Sequence, residues 1–255
     1  MKLRPFIRSL GDILFPRQCA ICRKTLNPSE RHLCTACLLS LPYTGYRAHS
    51  GNPAERMFWE HREVESVTSY LHYFPGTGAA RPVISLKYFG KMNLGQYLGE
   101  KAAEELLSTS FFNGVDWLVP VPLHKVRWNT RGYNQSHEIA RGVSRITKIP
   151  IKTDVLWRRR NNRTQTRLTR HERKENVDQL FVAHRTRGLE GKHLMLIDDV
   201  LTTGATLGAC IHALSHIKDL RISILTLYVT GRPGTAPDIH HPDVTTVKIE
   251  HPTDE

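Results

Sequence analysis

The sequence predicts an α/β protein whose mainly parallel, twisted sheet is flanked by helices and preceded by a small N-terminal zinc-ribbon-like module. Apolar, partly β-branched runs at residues 180–183, 193–197 and 222–229 are typical of buried parallel strands. Segments with apolar residues at helical spacing alternate with these runs, as they do around doubly covered sheets. Two Cys-x-x-Cys pairs before residue 40 predict the separate module.

The predicted module rests on the cysteine spacing C-x2-C-x11-C-x2-C, formed by Cys19, Cys22, Cys34 and Cys37. Each Cys-x-x-Cys turn brings two thiolates towards one point, so two turns can close a tetrahedron around Zn²⁺. Because four protein ligands leave no open position, we expect the zinc to be structural. A redox dithiol and an iron–sulfur site are the alternatives, and disulfides fit a cytosolic protein less well. The fifth cysteine, Cys210, is expected to be a buried small residue in a helix.

An amphipathic helix is predicted ahead of the cysteines, from the helical spacing of Leu3, Phe6, Ile7, Leu10 and Leu14. Its apolar face either packs on the main domain or lies on a membrane surface. Between residues 44 and 63, Gly, Pro and charged residues replace periodic structure. We therefore expect two domains, with the helix and module over residues 1–60 and a second domain over residues 61–255.

The second domain is predicted to alternate strands and helices along the chain. In chain order we expect strand 66–74, helices 79–89 and 94–107, strand 116–121, helix 134–147, strands 180–183 and 193–197, helix 205–217 and strand 222–229. The tail after Gly231 is rich in Pro, His and Asp and is expected to be irregular, with one late strand at 244–249. Its histidines fit scattered surface positions better than a metal site.

Composition and charge restrict the class of protein. The 255 residues include 36 Lys and Arg against 24 Asp and Glu, a formal net charge of +12. A hydrophobic content of 40% excludes a disordered chain, and no apolar run reaches the roughly 18 residues of a membrane span. The basic N-terminal stretch lacks the apolar segment of a signal peptide, so we expect a cytoplasmic protein without a transmembrane segment. The charge leaves three explanations open: nucleic acid, a phosphorylated ligand, or a solvated basic face.

The most informative segment, residues 194–206, reads LMLIDDVLTTGAT. An apolar strand runs into Asp198 and Asp199, and a loop of small residues then leads into a helix. Ligands of open α/β sheets bind beyond the carboxyl ends of the strands, where backbone N–H groups and the helix dipole attract phosphate. The two acids would repel a phosphate but accept hydrogen bonds from a ribose diol. The segment therefore predicts a ribose 5-phosphate site, whose phosphate cradle is Thr202, Thr203, Gly204, Ala205 and Thr206.

This segment resembles the fingerprint of type I phosphoribosyltransferases, an apolar strand followed by D-D-x-x-T-T-G-A-T. Other stretches are similar to the ComF family, namely the four-cysteine module, SLKY at 85–88, PVPLH at 120–124, RGYNQ at 131–135 and the RTQT…ER…NV pattern within 163–177. The resemblance covers about residues 15–229. It implies the type I phosphoribosyltransferase fold for the second domain.

The resemblance also implies that the chain binds phosphoribosyl pyrophosphate (PRPP) together with Mg²⁺. Asp198 and Asp199 would hold the ribose hydroxyls, and residues 202–206 would bind the 5′-phosphate. The pyrophosphate loop would be Val121, Pro122, Leu123 and His124. Lys87 would also supply charge to the pyrophosphate. A mobile loop over residues 127–135 would close over the ligand, and its site residues would be Arg131, Gly132, Tyr133, Asn134 and Gln135.

A site of this kind supports substitution at the anomeric carbon of the ribose, with pyrophosphate as the leaving group. The general base is not identified, and His124 and His137 are candidates only because they lie near the predicted loop. The acceptor, turnover and the oligomeric state stay open. The alternatives are a nucleotide-synthesis or base-salvage phosphoribosyltransferase, and a non-catalytic DNA-binding adaptor or ligand sensor.

Half of the excess positive charge falls in residues 157–175, which hold eight Lys or Arg and two Glu, a net +6. The neighbouring Arg127 and Arg131 add to this charge, and Trp128, Tyr133 and Trp157 interleave with the basic residues, as in single-stranded nucleic-acid grooves. The candidate contacts are Trp157, Arg158, Arg159, Arg160, Arg163 and Arg167. A solvated basic face, and arginines that serve the polyanionic ligand, are the alternatives. ComF-like proteins are associated with natural transformation. The resemblance therefore implies handling of incoming single-stranded DNA, with DNA-uptake proteins as partners.

Overall fold

A four-stranded parallel sheet forms the centre of this computed structural model, in which residues 16–159 and 180–230 are described. Its order is β1-β6-β5-β2, and every neighbouring pair is parallel. The strands are β1 (Val64–Tyr73), β2 (Trp117–Pro120), β5 (His193–Leu201) and β6 (Arg221–Thr230). The prediction of a mainly parallel sheet is confirmed. The predictions for the N-terminal helix, for the histidine-rich tail and for Arg160, Arg163 and Arg167 lie outside the described residues.

Helices cover both faces of this sheet, and those at Arg81–Tyr88, Met92–Leu106, Gln135–Thr147 and Ala205–Leu214 agree with the predicted segments to within a few residues. The helices at Thr35–Leu39, Pro53–Arg56 and Lys125–Arg131 match no predicted helix. In chain order they are α1 (Thr35–Leu39), α2 (Pro53–Arg56), a 3₁₀ turn (Gly78–Ala80), α3 (Arg81–Tyr88), α4 (Met92–Leu106), α5 (Lys125–Arg131), α6 (Gln135–Thr147) and α7 (Ala205–Leu214). Helix α5 overlaps the first five residues of the segment predicted as a mobile loop, residues 127–135.

Strand β5 shows how the core is divided, because its side chains alternate between the two faces of the sheet. Met195 and Ile197 pack into the apolar cluster beneath α4 and α6. Leu194 and Leu196 pack into the cluster on the opposite face, together with α7. Burial on both faces explains why the predicted strand is almost continuously apolar.

The run at residues 180–183 is not a strand of the parallel sheet, so that prediction is wrong. Phe181–Ala183 forms β4, which pairs antiparallel with β3 (Leu156–Arg158) in a separate two-stranded sheet. Phe181 is buried and Val182 is exposed, so only one face of this short strand packs inward, against α7. A run of three residues cannot distinguish this arrangement from a buried strand by its composition.

The acids of the fingerprint segment lie inside a strand and not after it, which corrects the predicted end of that strand at residue 197. Strand β5 continues to Leu201 in register with β6, where Asp198 pairs with Thr226. Strand β2 ends earlier, with Pro120 paired to Ile197. The two acids therefore lie just beyond the last residue of the neighbouring strand, where the edge of β5 is no longer covered by β2.

Helices α4 and α6 approach each other closely, because each contributes a glycine at their contact. A side chain at Gly142 would overlap the carbonyl group of Gln96, and one at Gly99 would overlap the carbonyl group of Ile139. The pair also encloses Glu100, whose side chain is only 5% exposed and is bound by Arg145 of α6. This contact fixes the position of α6, whose first turn reaches the candidate site.

The cysteine module packs directly on α4. Arg31, which lies between the two cysteine pairs, binds the second oxygen of Glu100 at 2.6 Å. The rings of His32 and Tyr97 are 5.4 Å apart, and Arg81 of α3 donates a hydrogen bond to the carbonyl of Ile21. Module and sheet therefore share one apolar core, and the boundary at residue 60 stays a prediction. Within the part of the chain that the structure describes, none of the helices combines the length and apolar character needed to span a bilayer.

The close approach of α4 and α6 generates the first prediction. We expect Gly142→Ala to lower the free energy of unfolding by about 1–3 kcal/mol, because its methyl group would force the two helix backbones apart. Urea denaturation measures this change. Gly208→Ala in α7 is the matched control, since the nearest atom to its new Cβ, Nε2 of His61, is 3.8 Å away. That control should be neutral or slightly stabilising, because alanine favours helices. Equal losses in both variants would contradict the prediction.

Candidate functional site

A cavity of about 440 Å³ opens at the carboxyl ends of the parallel strands. Its floor includes Tyr73 and Thr230, the last residues of β1 and β6, and its sides are α3, the segment after β2 and the start of α6. Four cations and two acids line it among the described residues: Lys87, Arg127, Arg131, Arg158, Asp198 and Asp199. The cavity is therefore suited to a polar ligand that carries several negative charges.

The two acids are held in different ways. Oδ1 of Asp198 accepts hydrogen bonds from Oγ of Ser136 and from the backbone N–H of Asp199, each at 2.9 Å. Oδ2 of Asp199 lies 3.1 Å from Nζ of Lys87. Among the described residues, the other oxygen of each carboxyl has no hydrogen-bond partner. Each acid therefore keeps one oxygen for a ligand.

The protonation of Asp198 is sensitive to its surroundings. Burial and the neighbouring charge of Asp199 raise the pKa of Asp198 to about 7. The hydrogen bond from Ser136 opposes this shift, because it stabilises the ionised form. Burial therefore favours the protonated form of this carboxyl, and a ligand that donates hydrogen bonds or brings a cation would favour ionisation.

The loop after β5 forms the tight turn that a phosphate cradle requires. Gly204 has φ of +77° and directly precedes α7, so its left-handed backbone starts the helix. A Cβ at this position would come within 3.2 Å of the Phe58 ring. Because Gly204 has no side chain to cap α7, the first amide groups of this helix have no side-chain cap. Thr202 and Thr206 line the cavity beside them.

The segment after β2 lines the cavity with Val121, Pro122 and Leu123. The backbone N–H of Val121 donates to the carbonyl of Ile197 at 2.9 Å, which holds this segment against β5. His124 caps α5, because its Nδ1 accepts a hydrogen bond from the N–H of Val126 at 3.2 Å. Of the described histidines proposed as general bases, neither His124 nor His137 lines the cavity.

The RGYNQ segment, predicted to be part of a mobile loop, is hydrogen-bonded to neighbouring elements. Arg131 ends helix α5, and Gly132 takes the left-handed conformation that terminates it. The hydroxyl of Tyr133 and the side-chain amide of Gln135 both donate to the carbonyl of Leu86 in α3. Burial raises the pKa of Tyr133 to about 12, so this hydroxyl stays protonated and remains a donor.

Contacts of Asn134 and Arg131 also hold the RGYNQ segment in place. The side chain of Asn134 caps α6 by accepting from the N–H of Ser136, and it donates to the carbonyl of Val121 at 2.9 Å. Nη1 of Arg131 donates to Oε1 of Gln135 at 3.2 Å, and its guanidinium lies 5.6 Å from the Tyr88 ring centre. The predicted mobile loop is thus a short helix followed by a braced turn, since a capped α6 begins directly after Asn134.

The four predicted cysteine ligands converge on one point. Their sulfur atoms all lie within 4.8 Å of one another, and those of Cys22 and Cys34 are 3.7 Å apart. Thiolates that bind one zinc ion tetrahedrally at about 2.3 Å lie roughly 3.8 Å from each other. This donor set and its spacing fit zinc, and the fifth cysteine, Cys210, is buried in α7 as expected.

Comparisons with known families divide the chain in the same way. The profile of the phosphoribosyl transferase domain family matches residues 130–255, and that of the double zinc ribbon domain matches residues 10–54. Competence protein F of Haemophilus influenzae is 26% identical over 208 residues, which are 76% of this chain and 88% of that protein. DNA utilization protein YhgH of Escherichia coli is 28% identical over 74% of this chain and 79% of its own length. The chain belongs to the ComF family.

A shorter match and two solved structures accompany this assignment. Competence protein ComFC of Bacillus subtilis is 37% identical over 90 residues, about a third of each chain. The glutamine PRPP amidotransferase of B. subtilis aligns with 55% of this chain and 30% of its own, with a TM-score of 0.37 and 19% identity. A purine phosphoribosyltransferase from Pyrococcus horikoshii aligns with 59% and 81%, with a TM-score of 0.32 and 18% identity. The matched region spans less than a third of the amidotransferase chain.

The ComF-family chain therefore combines a phosphoribosyltransferase-type domain with a zinc ribbon whose metal is structural. The cavity gathers most of the site residues named from the sequence: Lys87, Val121, Pro122, Leu123, Arg131, Asn134, Gln135, Asp198, Asp199, Thr202 and Thr206. Other named residues do not line it: His124, Gly132, Tyr133, Thr203, Gly204 and Ala205. Arg158, expected to meet nucleic acid, lines the cavity, whereas Trp157 and Arg159 are exposed.

Ser136 is the site residue that sequence reasoning missed. It follows RGYNQ directly, but a serine in the first turn of a helix is common, and nothing in the sequence links it to an acid 62 positions away. Only the packing of α6 against β5 brings the two side chains together.

The contact between Ser136 and Asp198 generates the second prediction. In Ser136→Ala, Asp198 loses a hydrogen bond to its ionised form, so its pKa should rise further, by roughly one pH unit. Carbon-detected NMR of the aspartate side chains across pH 5–9 measures this change. Ser144→Ala on the same helix is the control and should leave the pKa of Asp198 unchanged. An unaltered pKa in Ser136→Ala would show that the hydrogen bond does not govern this carboxyl.

Proposed function

We propose that this ComF-family protein binds PRPP together with Mg²⁺ in the cavity at the carboxyl ends of its strands. One observation carries the proposal: two adjacent acids and an uncapped helix N-terminus lie side by side at the end of β5. The acids suit the ribose diol, and the helix N-terminus suits the 5′-phosphate. A ligand that joins these two groups within one sugar fits both features.

Other groups that line the cavity would bind the pyrophosphate of PRPP. The backbone of residues 121–124 would hold it, and the positive side chains of Arg127 and Arg131 would balance its charge. Lys87 lies against Asp199 and keeps this acid from repelling the phosphates. The free oxygens of the two acids, together with ligand phosphate oxygens, form the hard donor set that Mg²⁺ prefers.

The chemistry of such a complex would be substitution at the anomeric carbon. The bond between C1 and the pyrophosphate oxygen breaks, its electron pair leaves with pyrophosphate, and the acceptor forms the new bond to C1. Mg²⁺, when bound, neutralises charge on the leaving pyrophosphate. The protein's own part is to orient the ribose through Asp198 and Asp199 and to stabilise the leaving group with its cations. Because the acceptor is open, a ligand sensor and a base-salvage transferase are the competing interpretations.

Calorimetric titration with PRPP and Mg²⁺ provides the third prediction. The wild-type protein should release or take up heat on binding, whereas Asp198→Asn/Asp199→Asn should bind at least tenfold more weakly, since hydrogen bonds to charged groups contribute about 1.5–3 kcal/mol each. Asp219→Asn, at an exposed position outside the cavity, is the control and should bind as wild type. No heat with the wild type, or equal affinity in the double variant, would refute PRPP binding. Pyrophosphate release on adding a panel of nucleobases then separates a transferase from a sensor.

We also propose that the protein contacts single-stranded DNA through the outer face of the two-stranded sheet. Trp157 is 57% exposed, and its ring stacks on His184 at 3.9 Å with an angle of 18°. Aromatic faces beside cations suit unpaired bases and their phosphates, and Arg159 and Arg185 are exposed near this pair. The names of the relatives in H. influenzae and E. coli, which refer to competence and DNA utilization, support a role of this kind.

A salt series of single-stranded DNA binding tests this surface and is the fourth prediction. Affinity should fall steeply as salt rises, because released counterions accompany each phosphate contact. Trp157→Ala should weaken binding about 5- to 100-fold, since base stacking contributes about 1–3 kcal/mol. Trp59→Ala is the control, because Trp59 is also an exposed tryptophan, at 65%, beside an arginine. Binding that does not depend on salt, or that both variants lower equally, would contradict the proposed surface.

A further inference from the structure

Arg158 and Trp157 are neighbours in β3 but lie in different surroundings. Successive side chains of a strand point to opposite faces, so one of the two must turn inward. Trp157 is exposed, whereas Arg158 reaches the cavity and contributes to its lining. Trp157 and Arg158 are adjacent in one basic segment of the sequence, but their side chains therefore face solvent and the cavity respectively.

Within the described residues, the guanidinium of Arg158 lacks the ion-pair partner that such a group normally has. It lies 5.3 Å from the centre of the Phe181 ring, which supports its flat face. Its Nε is buried without a hydrogen-bond partner, and no described carboxylate forms an ion pair with it. A buried donor on a cation is costly when it is unpaired. An arginine that lines a cavity in this state is suited to an anionic ligand.

Other cations surround this part of the cavity. Burial and then the positive charges of Arg158, Arg127 and Lys125 lower the pKa of His124. Burial and the charge of Arg127 likewise lower the pKa of Arg158, while the charge of Asp198 opposes them. Positive charge is thus concentrated between β3 and the segment after β2, and the Asp198 carboxyl is shared with Ser136. An added anion would relieve this repulsion.

We propose that Arg158 binds the pyrophosphate group of the ligand from the two-stranded sheet, outside the fingerprint segment. This inference rests on the proposed binding of PRPP and adds a residue that the sequence assigned to nucleic acid. The planar guanidinium offers parallel N–H donors that match two phosphate oxygens. The 5′-phosphate has its own cradle at the N-terminus of α7. Arg158, by contrast, interacts electrostatically with Arg127 and with His124, the last residue of the predicted pyrophosphate loop.

The fifth prediction compares Arg158→Gln with Arg187→Gln, an exposed arginine outside the cavity. The probes are PRPP with Mg²⁺, inorganic pyrophosphate with Mg²⁺, and ribose 5-phosphate, each titrated by calorimetry. Arg158→Gln should weaken PRPP and pyrophosphate binding about 10- to 100-fold, because a charge-assisted hydrogen bond is lost, and should leave ribose 5-phosphate binding unchanged. Arg187→Gln should bind all three as the wild type does.

Controls separate this inference from the proposed function and from a merely structural role. Arg158→Lys keeps the charge without the planar donors and should fall between wild type and Arg158→Gln. If wild type binds neither PRPP nor pyrophosphate, the proposed function fails, and the inference fails with it. If wild type binds both and Arg158→Gln does too, the inference alone is overturned. It is also overturned if the variant loses all three ligands and melts at a lower temperature, or if only its single-stranded DNA affinity falls.

Discussion

The unequal lengths of β5 and β2 are the constraint on which the candidate site depends. Strand β2 ends at Pro120 opposite Ile197, whereas β5 continues through Leu201 in register with β6. Two acids can lie in a buried strand only because this edge of β5 opens into the cavity, since carboxylates within a covered sheet would lose their hydration. The turn at Gly204 then brings the N-terminus of α7 to the same place. The geometry of one strand end therefore supplies both the acids and the phosphate cradle.

Within the described part of the chain, the acids of the site are compensated by nearby partners, whereas most of its cations are not. Asp199 is balanced by Lys87, and Asp198 by hydrogen bonds from Ser136 and the backbone. The remaining cations, which come from α5 and β3, have no equivalent acid among the described residues that line the cavity. Their elements come from different layers of the protein, so the cavity carries an excess of positive charge that only the assembled fold creates. Such a field attracts polyanionic ligands and strengthens their binding where water is excluded.

The zinc ribbon is joined to the candidate site through the helices beneath the sheet. Arg31 of the ribbon and Arg145 of α6 bind the two oxygens of Glu100 in α4. Removal of either arginine would leave one oxygen of this buried carboxylate without its ion pair. Helix α6 carries this contact near its C-terminus and Ser136 in its first turn. The two cysteine pairs close the loop that carries Arg31. The module thus helps to hold α4 and α6, and through α6 it helps to position Ser136 in the site.

The sequence by itself determined the zinc ligands, the alternation of strands and helices, and the residues of the fingerprint segment, because each depends on local spacing. Periodicity defined strand β1 and helices α3, α4 and α6 to within a few residues. It could not define β4, whose three residues pair antiparallel in a second sheet, or the braced turn after Gly132, which depends on the distant carbonyl of Leu86. Only the tertiary structure joined Ser136 to Asp198 and turned Arg158 into the cavity. These contacts link residues that are far apart in the chain, and such partners leave no periodic signal in the sequence.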